Sequence, residues 1–458
     1  MSDTATDRVD PLGRVGGPWR WGLAGVVALA VVVHLPYAVE GPTYLLDDYY
    51  TLWFRHSRGL LGTAGPGQLS ARPGAWVSYL VEFGVLGHHP LAGYVLLAAL
   101  DVVAAGLLYR ALVRLVPVEV AGFAAVLWVL LADHSTLDHW LSTINIALGL
   151  CLFLAGIERL AAAMTSPPTF RGSSRVPPDR SLIGATLLLV GSGLCYEATL
   201  AVSALALLAV PRICRRPVWT RRTALAEAAL VATGVWMLVH SRHQLGGGSF
   251  DYRSLPMSLF GTGVLHAEPV GAVLVVLTLV VIGVSAAREW RRSGDLGSHL
   301  VVAGLVVIVA GTLAFARDPI SPLDLGDRVN QVASIGAALV WTGGLIQLGR
   351  ARWVGRAAAT ALLVVAGVGH LARDLDYRDA GRDNARIFGA VLASYGTPPE
   401  GNIVVGPMYL SHHGVTGMLG PEVHAFEVVT RRQGWNVWVA LSPAEFNARP
   451  RALRVTVP

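Results

Sequence analysis

Two adjacent carboxylates, Asp47 and Asp48, follow the first hydrophobic segment of the chain in the sequence YLLDDYY. One Asp at the centre of a membrane helix costs about 2.5–3.5 kcal/mol, so the pair is expected at or beyond the membrane interface. There it could act as a general base on a substrate that a lipid delivers. The alternative is a solvated loop that ends the first hydrophobic segment.

Two arginines are candidate phosphate ligands, because the planar guanidinium can bind two oxygens at once. Arg72 precedes Pro73 in the same loop, and Arg328 follows Asp327 at the start of a late apolar segment. Each has a plain alternative: Arg72 could flank a helix and contact lipid headgroups, and Arg328 could snorkel to the interface.

A third polar segment contains Asp133-His134 and Asp138-His139, which are metal-ligand residue types. Their spacing matches no dedicated metal motif, so the lining of a polar cavity is the alternative and a divalent metal ion stays open. No other cofactor is expected. No P-loop, GxSxG or HExxH motif occurs in a supporting context, which argues against nucleotide hydrolysis and serine-hydrolase chemistry.

The composition of the chain indicates that these residues are held by membrane-spanning segments. The chain is 53% hydrophobic and 14% charged, against about 25% charged residues in soluble domains, which indicates an integral membrane protein. Its basic residues are all arginine, and with the Ala, Val and Gly content this suggests a GC-rich genome, such as that of an actinobacterium. The net charge of +6 is explained by arginines flanking membrane spans, so no nucleic-acid partner is expected.

Apolar runs long enough to span a membrane recur along the chain, about eleven in all. The fold class predicted is an all-α polytopic membrane protein. The expected spans are 21–39, 91–112, 118–133, 143–163, 181–195, 197–211, 223–240, 269–287, 298–316, 329–348 and 353–372.

The stretch 181–211 has basic residues at both ends, so we interpret it as two short helices with Glu197 near the turn. A carboxylate in such a place usually has a partner or a function. For Glu197 the plain alternative is a structural pair with an arginine of an outer loop.

Arginines cluster after every second span, which predicts a cytoplasmic N-terminus in a plasma membrane. Residues 1–20 are then cytoplasmic, and 21–372 form the transmembrane domain, with 40–90 as its first outer loop. Residues 373–458 are polar and predict a small α/β domain outside the membrane. Within it, 378–396 is expected to form an amphipathic helix, and 402–405 and 423–429 are expected to form strands.

The order of these residues resembles the GT-C superfamily of membrane glycosyltransferases, and within it the protein O-mannosyltransferase-like branch. In that superfamily an acidic pair lies in the first outer loop, an Arg-Pro precedes the second span, and a His-containing loop ends in Trp-x-Ser. A Lys-Glu pair lies between two short helices, and an Arg stands near a late span. The positions that match are Asp47-Asp48, Arg72-Pro73, His134 with Trp140-Leu141-Ser142, the Glu of Tyr196-Glu197, and Arg328 with Ala333-Ser334-Ile335-Gly336.

The resemblance implies an inverting sugar transfer from a polyprenyl-phosphate donor to an envelope glycan, lipid or protein acceptor on the outer face. Asp47 or Asp48 would deprotonate the acceptor, and Arg72 and Arg328 would bind the donor phosphate. Supporting roles fall to His134, Asp138, His139, Glu197 and Asp327. Two other classes stay open: a lipid or polysaccharide transporter, and a non-catalytic membrane assembly protein.

Overall fold

The computed structural model describes residues 18–63, 72–87, 89–165, 178–214, 220–240, 295–313, 330–348, 352–406, 420–421, 423–440, 442–449 and 451–457, with isolated positions between 280 and 287. Numbered in chain order, its helices are α1 (Pro18–Glu40), α2 (Asp47–Arg58), α3 (Pro73–Tyr79), α4 (Pro90–Val113), α5 (Val118–Leu130), α6 (Thr136–His139), α7 (Ile144–Thr165), α8 (Pro178–Cys195), α9 (Ala198–Ile213), α10 (Arg221–His240), α11 (Leu296–Leu313), α12 (Gln331–Leu348), α13 (Arg352–Ser394), α14 (Val423–Thr430) and α15 (Pro443–Asn447).

Apolar helices dominate the described residues, as the sequence predicts. Six are long and apolar enough to cross a membrane, namely α1, α4, α7, α10, α12 and α13, which makes the chain a multi-spanning membrane protein. Helices α5, α8, α9 and α11 are apolar but shorter. The expected span 269–287 lies almost wholly outside the described residues, so the count of about eleven stays a prediction.

The stretch 181–211 forms two helices, as expected. Helix α8 ends at Cys195 and α9 begins at Ala198, with Tyr196 and Glu197 between them. The Ser192 hydroxyl lies 2.7 Å from both the Gly149 carbonyl oxygen and the Thr199 hydroxyl. These hydrogen bonds tie the break between the two helices to α7.

Helix α13 joins two elements that the sequence analysis separates. The expected span 353–372 and the amphipathic segment from 378 lie in one helix of 43 residues. At 1.5 Å per residue it is about 64 Å long, roughly twice the hydrocarbon core. Pairs such as Arg373–Asp376 at 3.1 Å support the helix where it becomes polar. The proposed domain boundary between 372 and 373 therefore falls inside a continuous helix.

Helices α11 and α12 form a closely packed antiparallel pair. A Cβ built on Gly336 would lie 2.5 Å from the Gly304 carbonyl oxygen, and one on Gly343 would lie 2.5 Å from that of Gly297. Within a membrane, small residues let helix backbones approach and gain van der Waals contact. Glycine at these positions is therefore required for the two helices to approach this closely.

The C-terminal segment contains a four-stranded sheet in the order β2-β3-β1-β4. Its strands are β1 (Ile403–Val405), β2 (Gly420–Pro421), β3 (Val437–Val439) and β4 (Leu453–Val455). Strand β1 runs parallel to β3 and β4, and β2 is antiparallel to β3.

One predicted strand is wrong, because residues 423–429 lie in helix α14. The consecutive residues Ala425 and Phe426 are both fully buried, which a strand with one exposed face would not allow. Phe426 packs on Phe388 of α13 and on Trp435. Tertiary packing thus overrides the strand preference of the β-branched residues.

Candidate active site

The acidic pair begins helix α2, with its two carboxylates facing different environments. Asp47 is exposed, whereas Asp48 is fully buried. The preceding residue, Leu46, has a φ of 37°, a left-handed conformation that costs a non-glycine residue about 1–3 kcal/mol and often marks functional sites. The Leu45 backbone N–H donates to Asp48 Oδ2 at 2.9 Å, which closes this turn.

Ser142 anchors Asp48 from the end of the loop between α5 and α7. Its backbone N–H and its hydroxyl donate to Asp48 Oδ1 at 2.8 and 2.5 Å. The Tyr79 hydroxyl donates to the Ser142 carbonyl at 2.9 Å, and Trp140 Nε1 donates to the Leu45 carbonyl at 3.3 Å. The Trp-x-Ser sequence therefore fixes the acidic turn, with Asp48 as the anchor and Asp47 presented outward.

Burial changes the protonation of Asp48. It raises the pKa of this carboxyl from 3.8 to about 7, although the hydrogen bonds from Ser142 and Leu45 lower it. The nearby charge of Asp47 adds to the increase. Asp48 is therefore part protonated near neutral pH, which suits a fixed anchor better than an accessible base.

The raised pKa of Asp48 predicts that the stability of the protein depends on pH. The variant Asp48→Asn should lose this dependence. Between about pH 4 and pH 7 the native state keeps a proton that the unfolded chain releases. The stabilisation is complete below pH 4 and is lost as the pH rises to 7, by up to about 1.4 kcal/mol per pH unit. Thermal unfolding at pH 4–8 should show this slope in the wild type but not in Asp48→Asn. The control is Asp379→Asn, which changes a partly exposed carboxylate of α13 and should keep the slope. Parallel plots of stability against pH for wild type and Asp48→Asn would contradict the raised pKa of Asp48.

Arg72 pairs with Glu197. The plain alternative for Glu197, an ion pair with an arginine, is therefore the contact that the structure shows. Arg72 precedes α3, and its guanidinium Nη2 forms an ion pair with Glu197 Oε1 between α8 and α9. The Arg72 side chain remains 32% exposed. Burial raises the pKa of the Tyr79 hydroxyl, with a lowering effect from Arg72 and a raising effect from Asp47. Tyr79 thus lies within electrostatic range of both Arg72 and Asp47.

Glu82 is a carboxyl group near this site that the sequence analysis missed. It lies in a π-helix, Leu80–Leu86, that continues α3, and neither carboxylate oxygen hydrogen-bonds to a described residue. Burial, reinforced by the Asp48 charge, raises its pKa well above the usual value. Burial therefore favours the protonated form of Glu82. The signal available in the sequence was a single Glu within an apolar segment.

The first Asp-His pair of the third polar segment lies in the protein interior. The His134 ring stacks on Trp128 with centroids 5.0 Å apart, and its Nδ1 is 3.2 Å from Asp133 Oδ1. Trp128 Nε1 donates to the Ser334 hydroxyl at 2.8 Å. His134 thus supports packing of this loop against α12.

The second Asp-His pair faces helices α1, α4 and α13. His139 Nε2 lies 2.6 Å from Asp374 Oδ1, and its Nδ1 lies 2.8 Å from the Ser135 carbonyl. Asp138 lies beside His34 and Asp101, and one ligand atom from each of these three buried residues lies within 4.8 Å of the others. His34, Asp101 and Asp374 were missed by the sequence analysis, although His34 and Asp101 fall within predicted apolar spans, where a polar residue is itself a functional signal.

The second proposed phosphate ligand, Arg328, lies outside the described residues together with Asp327. Asn330 and Gln331, which follow them, are fully buried. The role of Arg328 therefore stays a prediction.

The C-terminal region packs directly on the helix that begins with the acidic pair. Trp53 Nε1 of α2 donates to Glu427 Oε2 of α14 at 2.8 Å. The His424 ring lies on Trp53 with centroids 4.2 Å apart, and Tyr49 contacts Phe388 of α13. One face of α2 is thus covered by the segment that follows the transmembrane helices.

No protein-family model and no curated protein matches the chain. Among solved structures, it aligns with ArnT from Cupriavidus metallidurans bound to undecaprenyl phosphate at 15% identity and a TM-score of 0.47, covering 96% of this chain and 90% of the other. It aligns with an oligosaccharyltransferase of Archaeoglobus fulgidus, in complex with zinc and sulfate, at 11% identity and a TM-score of 0.46, covering 89% and 62%.

The apo form of the archaeal oligosaccharyltransferase aligns at 10% identity and a TM-score of 0.44. The alignment covers 90% of this chain but only 64% of that protein. TM-scores below 0.5 at these identities do not establish a shared fold.

Proposed function

We propose that this chain is a GT-C-type membrane glycosyltransferase that moves a sugar from a polyprenyl-phosphate donor to an acceptor on the outer face of the plasma membrane. The observation that carries the proposal is the division of the acidic pair: Asp48 is buried and held by Ser142, so Asp47 is presented in a fixed position. A preorganised carboxylate and a partly exposed arginine, both within electrostatic range of Tyr79, suit transfer from a phosphate leaving group.

Asp47 is the base in this proposal. A general base must come within about 2.6–3.2 Å of the proton that it removes, and Asp48 is fully buried with both oxygens hydrogen-bonded. As the acceptor oxygen attacks the anomeric carbon, the carboxylate of Asp47 takes the hydroxyl proton. The bond from that carbon to the phosphate oxygen breaks, and polyprenyl phosphate leaves with the negative charge.

Arg72 stabilises the charge on the leaving phosphate. Its ion pair with Glu197 orients the guanidinium and uses one of its nitrogens, while an arginine has five N–H donors in all. The apolar helices accommodate the prenyl chain. The acceptor is an envelope glycan, lipid or protein, and the chemistry of these residues requires no nucleotide.

Arg72→Gln should raise the KM for the donor by about 10–150-fold, which corresponds to a lost charge-assisted contact of about 1.5–3 kcal/mol. Arg72→Lys should restore part of this, because a point charge replaces the planar fork. The Arg72→Gln change also leaves the Glu197 carboxylate without its ion-pair partner. The double variant Arg72→Gln/Glu197→Gln removes that charge, so a raised donor KM that persists in it is due to the loss of Arg72. Arg382→Gln changes a 62% exposed arginine of α13 and is the matched control. Unchanged donor KM in Arg72→Gln would exclude Arg72 from phosphate binding.

The proposal is tested with purified full-length protein in lipid nanodiscs. The donors are polyprenyl-phosphate mannose and polyprenyl-phosphate arabinose labelled in the sugar, and the acceptor is an envelope extract from an actinobacterium. We expect one donor to lose its label to the acceptor with release of one polyprenyl phosphate per sugar. Binding of both donors without release of polyprenyl phosphate would instead support a transporter.

A further inference from the structure

A second polar cluster, which does not include the acidic pair, joins two predicted apolar spans to the third polar segment. His34 of α1, Asp101 of α4 and Asp138 of α6 are each at most 5% exposed. One imidazole nitrogen and two carboxylate oxygens from these residues lie within 4.8 Å of one another. Three elements distant in sequence thus direct metal-ligand atoms at one point.

The hydrogen bonds of Tyr94 define the protonation of His34. The Tyr94 hydroxyl donates its proton to the His34 carbonyl oxygen at 3.0 Å. It must therefore accept from His34 Nδ1, which lies 3.2 Å away. In a neutral imidazole this leaves a lone pair on Nε2, and that nitrogen faces Asp101 Oδ2 at 3.2 Å. Two acceptors that face each other need a proton or a cation between them.

The distance between these two atoms also fits a shared metal. Zinc binds imidazole nitrogen at about 2.0–2.1 Å and carboxylate oxygen at about 2.0–2.2 Å. In a tetrahedron these bonds place neighbouring ligand atoms about 3.4 Å apart. Two buried carboxylates also need compensation for their charge, and a divalent cation supplies it in full.

His370 of α13 provides an independent indication. It is 3% exposed, and neither of its ring nitrogens hydrogen-bonds to any described residue. Its Nδ1 lies 4.0 Å from Asp138 Oδ2, and its Nε2 lies 3.9 Å from Asp374 Oδ1. A buried imidazole without a hydrogen bond is costly, and one nitrogen of this imidazole faces the Asp138 carboxylate of the cluster.

We propose that His34, Asp101 and Asp138, with His370 as the fourth ligand, bind one divalent transition-metal ion, zinc by preference. The imidazole and carboxylate donors are those that zinc accepts in tetrahedral sites. The ion would join α1, α4 and α13 to the loop that also holds Ser142, and so position the anchor of Asp48. The site does not depend on the proposed sugar transfer, since none of its ligands belongs to the acidic pair.

The test is metal analysis of the full-length protein in detergent, stripped with EDTA and titrated with ZnCl₂ or CoCl₂. We expect one zinc per chain by mass spectrometry, a raised thermal midpoint, and the visible absorption of four-coordinate cobalt. Asp101→Asn and His34→Gln should each lower bound zinc at least tenfold. His89→Ala, which removes an exposed imidazole, should bind like the wild type.

X-ray absorption of the zinc-loaded wild type gives a second measurement, which needs no variant to fold. Nitrogen and oxygen ligands at about 2.0–2.1 Å with imidazole scattering would support the site. A folded wild type that holds no stoichiometric zinc or cobalt would overturn the proposal, because a proton must then lie between His34 and Asp101. Zinc binding that is equal in wild type and in folded Asp101→Asn would also overturn it.

Discussion

Asp47→Asn is expected to lower the rate of sugar transfer by about 10²–10⁴-fold, the range that a positioned general base contributes. An amide cannot accept the acceptor's hydroxyl proton, whereas it keeps the size of the carboxylate. Because Asp47 is exposed, the variant should unfold at the wild-type temperature. Its donor affinity should be unchanged, since the proposed mechanism assigns the phosphate contact to Arg72. The measurement is the transfer rate at saturating donor, with donor binding measured in parallel.

The matched control for this variant is Asp379→Asn, which removes a carboxylate with a 37% exposed side chain from α13. It should transfer sugar at the wild-type rate. Asp48→Asn separates the two members of the pair, because it alters the anchor and should change stability with pH as well as activity. Full activity of Asp47→Asn would mean that the exposed carboxylate is not the base.

Gly336→Val is expected to disrupt the pair of helices α11 and α12. Even a Cβ at this position would lie 2.5 Å from the Gly304 carbonyl oxygen and 2.7 Å from Ile308 Cγ1. The opposing atom is backbone, so relief requires the helices to separate, and valine adds two methyl groups to the clash. Overpacking usually costs about 1–3 kcal/mol, and the valine variant should lie at or above the upper end. Thermal unfolding in detergent, followed by size-exclusion chromatography, measures the loss.

Gly25→Ala is the matched control, because a Cβ at that position of α1 meets nothing within 4 Å. It should unfold at or slightly above the wild-type temperature, since alanine favours helix over glycine. Equal stability of Gly336→Val and Gly25→Ala would show that α11 and α12 are not packed this closely.

Much of the helical architecture could be predicted from hydrophobic length alone. The helices near 21–39, 91–112, 143–163, 223–240 and 329–348 lie within a few residues of those observed, because membrane spans are selected by a sustained apolar run. The break at Glu197 could also be predicted, since one helix would have been too long. For Glu197, pairing with an unspecified arginine of an outer loop was one of two alternatives; the sequence alone could neither choose between them nor identify Arg72 as the partner.

Contacts between distant residues account for most of what the sequence did not reveal. Ser142 and Asp48 are 94 residues apart, and only their contact shows which member of the acidic pair is buried. The cluster around His34 depends on three separate helices meeting. Signals were nevertheless present: Asp101 interrupts an apolar span, and glycine recurs every seven residues at 297, 304 and 311. The predicted strand at 423–429 failed because β propensity yields to packing.

The most direct test of the central claim is a single-turnover experiment on donor already bound to the protein. Wild type and Asp47→Asn are loaded to equal occupancy with labelled polyprenyl-phosphate mannose or arabinose, whichever transfers, and mixed with envelope extract. The proposed mechanism predicts rapid release of polyprenyl phosphate with label on the acceptor in the wild type, and retention of intact donor in Asp47→Asn. Equal cleavage in both proteins, or intact donor in both at full occupancy, would contradict it.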